Sequence, residues 1–355
     1  MSRTRDDLRI LQALPLSIKI RMTERRIFEW VEKFGEDGVR ISWSGGKDST
    51  VLRHIVRKHY PGIVSVFVNT GLEYPEIQRF VKAAKDRGEP VEIIRPKMRF
   101  DEVIKKYGYP IIGKEVASCV GEGRAALEKN KYAKTYRLKR LYGDVDKPGS
   151  YLDLSKWYPL LGVDFKVSDK CCNVMKKAPV KKYDKQTGKV PMTGQMASES
   201  KQRTSMWLKN GCNGFDMKSP ISNPMSFWTE QDVLEYIKTY NVEIPSVYGD
   251  VVYKNDPEQM RLDEFIGENI GCEALCTTGC DRTGCIFCGF GAHLEKGETR
   301  FQRLKRTHPR QYEYCIGGGE YNEDGFWQPN KDGLGMGHVF DELNRIYGDG
   351  FIVYQ

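Results

Sequence analysis

No stretch of the sequence is apolar for long enough to cross a bilayer, and Met1 is not followed by a basic n-region and an apolar h-region. Those absences set aside integral membrane enzymes and secreted proteins, so the expectation is a cytoplasmic protein with no membrane partner. Internal repeats and low-complexity tracts are also missing, which sets aside solenoids and fibrous chains. Charge of one sign is scarce. Fifty-six Lys and Arg against 48 Asp and Glu leave a net charge of +8, which favours anionic ligands without demanding nucleic acid. Without a secretion signal, the ten cysteines do not read as a disulfide framework. Their placement points to a metal: Cys171 and Cys172 are adjacent, and Cys272, Cys276, Cys280, Cys285 and Cys288 crowd one segment. The remaining composition is that of an ordinary enzyme. The 355 residues, 29% charged and 39% hydrophobic, suffice for two domains or for one domain with large additions.

Everything in the chain is arranged around Ile41 to Thr50. Val39, Ile41 and Trp43 alternate with Arg40 and Ser42, which predicts a strand; Val51, Leu52, Ile55 and Val56 then fall on one helix face. Gly45 and Gly46 therefore sit at a strand-to-helix turn. Paired glycines let the backbone approach an anion, Ser44 and Ser49 offer hydroxyls, and the new helix aims its unpaired N–H groups and positive dipole end at the same place. The Walker pattern does not fit, because only two glycines precede Lys47 and Asp48 follows it. The pattern S-G-G-x-D-S resembles the PP-loop of the adenine nucleotide alpha-hydrolase-like superfamily, whose members bind ATP or an adenylyl-sulfate.

On either side of this loop the periodicity continues. Thr23 to Phe34 reads as a packing helix, with Thr23 as N-cap and Gly35 as the stop. Ile63 to Val68 and Val91 to Ile94 read as buried strands, separated by a helix starting at Pro75 and closing near Gly88. Strands alternating with helices at these intervals predict a parallel sheet wound right-handedly, with ligands beyond the carboxyl ends of its strands; Thr70 and Glu73 then share the loop's rim. Phe100 to Tyr107 reads as a helix. Gly113 to Arg140 is largely helical and basic, with Lys114, Arg124, Lys129, Lys131, Lys134, Arg137, Lys139 and Arg140. Such a run is the mark of a solvated face, while interleaved Tyr132, Tyr136 and Tyr142 keep a phosphate- or nucleic-acid-contacting surface open.

Two later segments carry chemistry. A glycine turn at Gly194 precedes a helix starting near Ser198, in which Glu199 and Arg203 share a face; they either pair or join a second anion-reading element. Cys171-Cys172 and Cys285-x-x-Cys288 together supply four thiolates, enough for one cluster or a tetrahedral zinc. The Thr229 helix, with Asp232 reaching back, is a capped core element.

Taken in order, the PP-loop, Asn69-Thr70-Gly71, the Cys171-Cys172 segment, Thr193-Gly194 to Arg203, Trp228-Thr229 and Cys285-x-x-Cys288 resemble the phosphoadenosine phosphosulfate (PAPS) reductase family in its iron-sulfur-bearing branch. The resemblance implies an α/β fold of the adenine nucleotide alpha-hydrolase-like kind. Its parallel sheet is wound with helices on both faces and followed by a Cys-rich C-terminal extension. The expected divisions are a helical segment 1–36, a nucleotide-binding domain 37–245 and a Cys-rich segment 246–355. Ser44, Gly45, Gly46, Lys47, Asp48 and Ser49 would hold the nucleotide, with Thr70, Gly194 and Arg203 completing the site. Cys171, Cys172, Cys285 and Cys288 match positions that ligate a [4Fe-4S] cluster, with Cys280 as the alternative to Cys171 and zinc as the rival metal.

One departure from that family matters. The Glu-Cys-Gly-Leu-His tail that carries the reductase nucleophile is absent, and the chain ends Phe351-Ile352-Val353-Tyr354-Gln355. No catalytic residue is assigned; Asp48 and Cys315 are the weak candidates, and a thiol flanked by tyrosines is more often buried and inert. Three functions stay open. The chain reduces or transfers the sulfur of PAPS or adenylyl-sulfate (APS), with a thiol of its own or of a donor protein attacking. Alternatively it uses ATP, accompanied by magnesium, to adenylate a nucleic-acid acceptor that sulfur then enters, as in DNA phosphorothioation and tRNA thiolation. Thirdly, it is a non-catalytic nucleotide-binding subunit.

Overall fold

A computed structural model describes residues 3–254 and 274–355. It divides the chain into two interleaved units, one of Met1–Asn69, Glu73–Ile94 and Lys181–Thr283, the other of Thr70–Leu72, Arg95–Val180 and Gly284–Gln355. Among the described residues no helix is long and apolar enough to cross a membrane.

The first unit is an α/β layer around a six-stranded sheet. Its strands run in the order Val91–Ile94, Ser65–Val68, Val39–Ser42, Val190–Thr193, Ile221–Ser222 and Asn213–Gly214. All neighbours are parallel except the last pair. Val39–Ser42 is buried along most of its length, as expected of a central parallel strand. The chain leaves it for Ser65–Val68 on one side and later returns through Val190–Thr193 on the other. That reversal of strand order falls at the carboxyl end of Val39–Ser42, the place where open α/β sheets bind ligands. The next helix, Lys47–His59, buries Val51, Leu52, Ile55 and Val56 completely. Trp43 pins it from the strand side: its indole N–H donates to Thr50 Oγ1 at 3.0 Å, and Arg53 lies 4.2 Å over its ring.

Two sequence expectations shift here. Thr23 caps nothing, because the helix runs from Leu16 to Phe34 and Thr23 lies inside it. Its hydroxyl instead accepts the Trp228 indole N–H at 2.8 Å, and Lys19, a turn earlier, is buried against Asp232 at 2.7 Å. Tertiary partners two hundred residues away thus engage the helix upstream of its expected start, while Gly35 ends it as read. The helix expected near Ser198 begins at Lys201, because Ser200 is its N-cap and accepts the Arg203 N–H at 3.3 Å. The capping box of Thr229 and Asp232 forms as read.

The second unit is mainly helical, with Phe100–Tyr107, Lys114–Lys129, Tyr136–Tyr142, Arg300–Thr307, Pro309–Ile316 and Met336–Tyr347. Its core includes Tyr109, Leu138, Leu141, Phe165, Phe301, Phe340 and Leu343, all fully buried. Ile111–Ile112 pairs in parallel with Gly289–Phe290, which fixes the position of the Cys285–Cys288 turn just before it. Arg124 ties down the irregular stretch between, donating to the carbonyls of Leu161, Val163 and Phe165.

Candidate functional site

The glycine loop lies in the first unit. Gly45 takes a φ of +72°, where L side chains are strained, and a Cβ there would stand 2.5 Å from the Ile77 side chain. Around it the two serines stitch the turn together: the Ser44 N–H donates to Ser49 Oγ at 3.2 Å, the hydroxyls lie 3.0 Å apart, and the Gly46 N–H donates to Ser44 Oγ at 3.3 Å. Gly46 is the N-cap of Lys47–His59 and supplies no side-chain cap for the amides of the first helical turn. Gly194 closes the other wall. A Cβ there would lie 2.8 Å from the Asp48 carbonyl oxygen, so only glycine permits this approach.

Charges converge on the same place. Asp48 is half-buried, one of its carboxylate oxygens is enclosed with no hydrogen-bond partner among the described residues, and desolvation raises its pKa against the opposing pull of Lys47, Arg282 and Arg203. Glu199 pairs with both Arg203 and Arg282, the latter at 2.6 Å. The pairing of Glu199 with Arg203 therefore forms, and Arg203 stands in electrostatic reach of Asp48. Ser44, Gly45, Gly46, Lys47, Asp48, Ser49, Gly194 and Arg203 are brought together in this unit. Thr70 belongs to the other unit, where its hydroxyl accepts the Leu72 N–H at 3.2 Å.

Sequence reasoning missed a set of internal partners for the loop. The Lys47 backbone N–H donates to the Tyr248 hydroxyl at 3.2 Å, and that hydroxyl bonds Thr283 Oγ1 at 2.6 Å. The Lys47 ammonium is buried between the Asp281 carbonyl, 2.6 Å away, and Glu230, 2.9 Å away. The one available signal was the charged Asp281-Arg282-Thr283 triplet inside a Cys- and Gly-rich segment, which reads as metal-binding until the fold places it at the loop.

The second unit gathers Cys171, Cys172, Cys285 and Cys288 around a single pocket with about 300 Å³ of atom-free space, its mouth included, walled by Leu72, Phe100, Pro110, Met175 and Lys176. The Cys171 S–H donates to Cys172 Sγ at 4.0 Å, and this bond, helped by Lys114, Lys176 and Lys177, lowers the Cys172 thiol to about 6. Donating and buried, Cys171 is pushed up instead. Desolvation also raises Cys288, although it accepts the Phe290 backbone N–H. Ile112, beside this wall, holds a φ of 64°, an unusual conformation for a β-branched residue that costs about 1–3 kcal/mol. Among the described residues, no group of three or more His, Cys, Asp or Glu side chains is arranged to hold a metal ion. What the pocket offers is a set of four thiols under an apolar wall with a lysine beside it, a donor set that suits a group held by thiolates.

The other cysteines lie elsewhere. Cys280 belongs to the first unit, where its N–H donates to the Val247 carbonyl and its own carbonyl accepts the Thr277 hydroxyl. Cys272 lies outside the described residues. Cys315 is completely buried against Met336, and burial raises its pKa, which keeps the thiol protonated.

The model of the phosphoadenosine phosphosulfate reductase domain matches residues 38–147 and 159–289, more than half of the chain. No curated protein matches the sequence significantly. Similar solved structures include a phosphoadenylyl-sulfate reductase from Candida auris in a phosphate complex, at 15% identity and a TM-score of 0.36, covering 72% of this chain and 95% of that one. A U34-tRNA thiolase from Methanococcus maripaludis with its [4Fe-4S] cluster has 15% identity and a TM-score of 0.33, covering 70% and 74%. An NH3-dependent NAD synthetase from Campylobacter jejuni has 11% identity and a TM-score of 0.34, covering 65% and 75%. Likeness at this level is too loose to transfer any residue's role.

Proposed function

The chain belongs to the phosphoadenosine phosphosulfate reductase domain family, and on that footing we propose that it is an enzyme that holds PAPS or APS at the Ser44–Ser49 loop and reduces or transfers its sulfur. The observation that carries this reading is the serine-glycine turn at the sheet's switch point, with Gly194 against its back and Arg203 in reach of Asp48. The loop amides and serine hydroxyls bind the phosphates, and Arg203 and Arg282 read the distal anion once released from Glu199. A thiolate then attacks the sulfate sulfur; the bond from sulfur to the bridging phosphate oxygen breaks, the adenosine phosphate leaves, and an S-sulfonate remains on the thiol. A second thiol displaces sulfite and closes a disulfide, which supplies the two electrons. Cys315 is enclosed, so this reading takes the attacking thiols from a donor protein. Cys171, Cys172, Cys285 and Cys288 would hold a [4Fe-4S] cluster, with zinc as the rival; bound there, the cluster supplies an electron-transfer or electrostatic element.

The exposed basic and aromatic stretch after Lys129 favours a second reading. Here the nucleotide is ATP with magnesium, which the Asp48 oxygen left without a partner among the described residues would help to hold. An acceptor oxygen on a nucleic acid attacks the α-phosphorus, pyrophosphate leaves, and a sulfide sulfur then displaces AMP.

Anaerobically purified protein offered PAPS, APS and ATP separates the readings. The first expects sulfite release with a reduced dithiol protein and none of the pyrophosphate that ATP would yield in the second. Binding without turnover of any of the three would make the chain a nucleotide-binding subunit, and failure to bind any of them would sink the adenylate reading. Iron with acid-labile sulfide supports the cluster, whereas zinc alone replaces it.

A further inference from the structure

Exposed tyrosines concentrate in one stretch of the second unit. Tyr132 is 75% exposed, Tyr136 58%, Tyr142 48%, Tyr151 81% and Tyr158 52%. The same stretch is basic: from Lys129 to Tyr158, eight Lys and Arg stand against Asp144, Asp146 and Asp153, a surplus of five within a chain whose whole surplus is +8. The fold uses the two arginines. Arg137 pairs with Glu122 at 3.1 Å; Arg140 is buried, pairs with Glu115 at 2.8 Å and donates to the Leu152 and Tyr151 carbonyls. These bonds fasten the 151–158 segment to the Tyr136–Tyr142 helix, and the Tyr142 and Tyr158 rings meet at 5.6 Å, so the stretch is one continuous face. Lys129, Lys131, Lys134, Lys139, Lys147 and Lys156 remain exposed, with no carboxylate partner among the described residues.

A face that only keeps a helix solvated needs neither tyrosines in water nor one sign of charge. Aromatic rings spaced among lysines that no carboxylate neutralises, Lys131 lying 5.0 Å over the Tyr132 ring, match the two chemistries of an unpaired polynucleotide, whose bases stack on rings while its phosphates meet ammonium groups. A duplex hides its base faces and would engage only the lysines. We propose that the face formed by Lys129–Tyr142 and Tyr151–Tyr158 binds single-stranded nucleic acid, with tyrosines stacking on bases and lysines on phosphates. The inference rests on the second reading for its purpose, but its measurement needs no ATP.

The test is fluorescence anisotropy of the full chain with labelled single-stranded RNA and DNA of about 20 nucleotides, and with the matching duplex, across a salt series. Single strands should bind with a log–log salt slope of about −2 to −4, roughly −0.7 per neutralised phosphate. Tyr132→Ala and Tyr158→Ala should each weaken single-strand binding about 5- to 100-fold while Tyr→Phe at either position leaves it intact, and the pair Lys131→Gln with Lys134→Gln should flatten the slope by about one. No binding, equal or tighter duplex binding, or Tyr→Ala variants that bind as the parent does would overturn the proposal, the last two marking simple polyanion adsorption. Pyrophosphate release from ATP without nucleic acid is scored separately, so either idea can fail alone.

Discussion

The turn of the Ser44–Ser49 loop is stitched by hydrogen bonds among its own residues, with Tyr248 taking the Lys47 N–H from outside, whereas the thiol pocket draws its walls from segments as far apart in sequence as Leu72 and Cys288. One is made of backbone donors held open by glycine, the other of side chains held together by a fold. A backbone site tolerates change in its side chains but not in its backbone path; a side-chain site behaves in the opposite way. The sharpest break of this contrast is a crossed pair of variants. Gly194→Val drives a side chain into the Asp48 carbonyl and should weaken nucleotide binding by about 100-fold or more, the scale on the order of 3 kcal/mol reached by overpacking, while metal content stays at the parent value. Cys285→Ser should do the reverse, emptying the thiol pocket of metal by elemental analysis while calorimetry finds nucleotide affinity within about twofold. If each variant lost both properties, the two regions would not be separable.

A smaller effect sharpens the description of the loop. Tyr248→Phe removes the hydroxyl that accepts the Lys47 N–H, freeing that donor for a phosphate. Nucleotide binding should tighten by about fivefold, equivalent to one hydrogen bond of about 1 kcal/mol. Weaker binding would mean that the hydroxyl itself contacts the ligand.

The smallest effect concerns stability. Glu89 binds Arg53, on the helix that leaves the loop, and also Arg57 and Arg87. Desolvation pulls its pKa up, but the Arg53 hydrogen bond and the surrounding guanidinium charges outweigh it, so its folded pKa is depressed below 4.5. The stabilisation is therefore fully present above the unfolded value and is lost as pH falls through the folded one. Glu89→Gln should lower the melting temperature by roughly 2–4 °C at neutral pH, for a loss on the order of 1 kcal/mol, and the gap should close in acid. A gap that persists in acid would assign the loss to packing rather than charge.

The same contrast governs what could be read from the sequence. The loop was legible because its strand period, glycines and helix period are contiguous, and the parallel sheet followed from the spacing of its neighbours. The thiol pairing was legible from cysteine placement and family resemblance, and the pocket brings all four residues together. Its apolar wall was not, because Leu72, Phe100 and Pro110 carry no local sign of a shared surface. Thr23 misled for the same reason: its polar side chain looked like a cap until Trp228 supplied a distant donor. Tyr248, Asp281 and Glu230 escaped notice because their partner, Lys47, lies roughly two hundred residues upstream.

Tyr248, Asp281, Glu230 and Glu199 keep the cationic and amide groups near the loop engaged within the protein. A bare orthophosphate ion would have to dislodge these partners with only a few contacts to offer in return, whereas a nucleotide recovers the loss through its sugar and base as well. Cellular phosphate, however plentiful, should therefore be a feeble competitor for the loop.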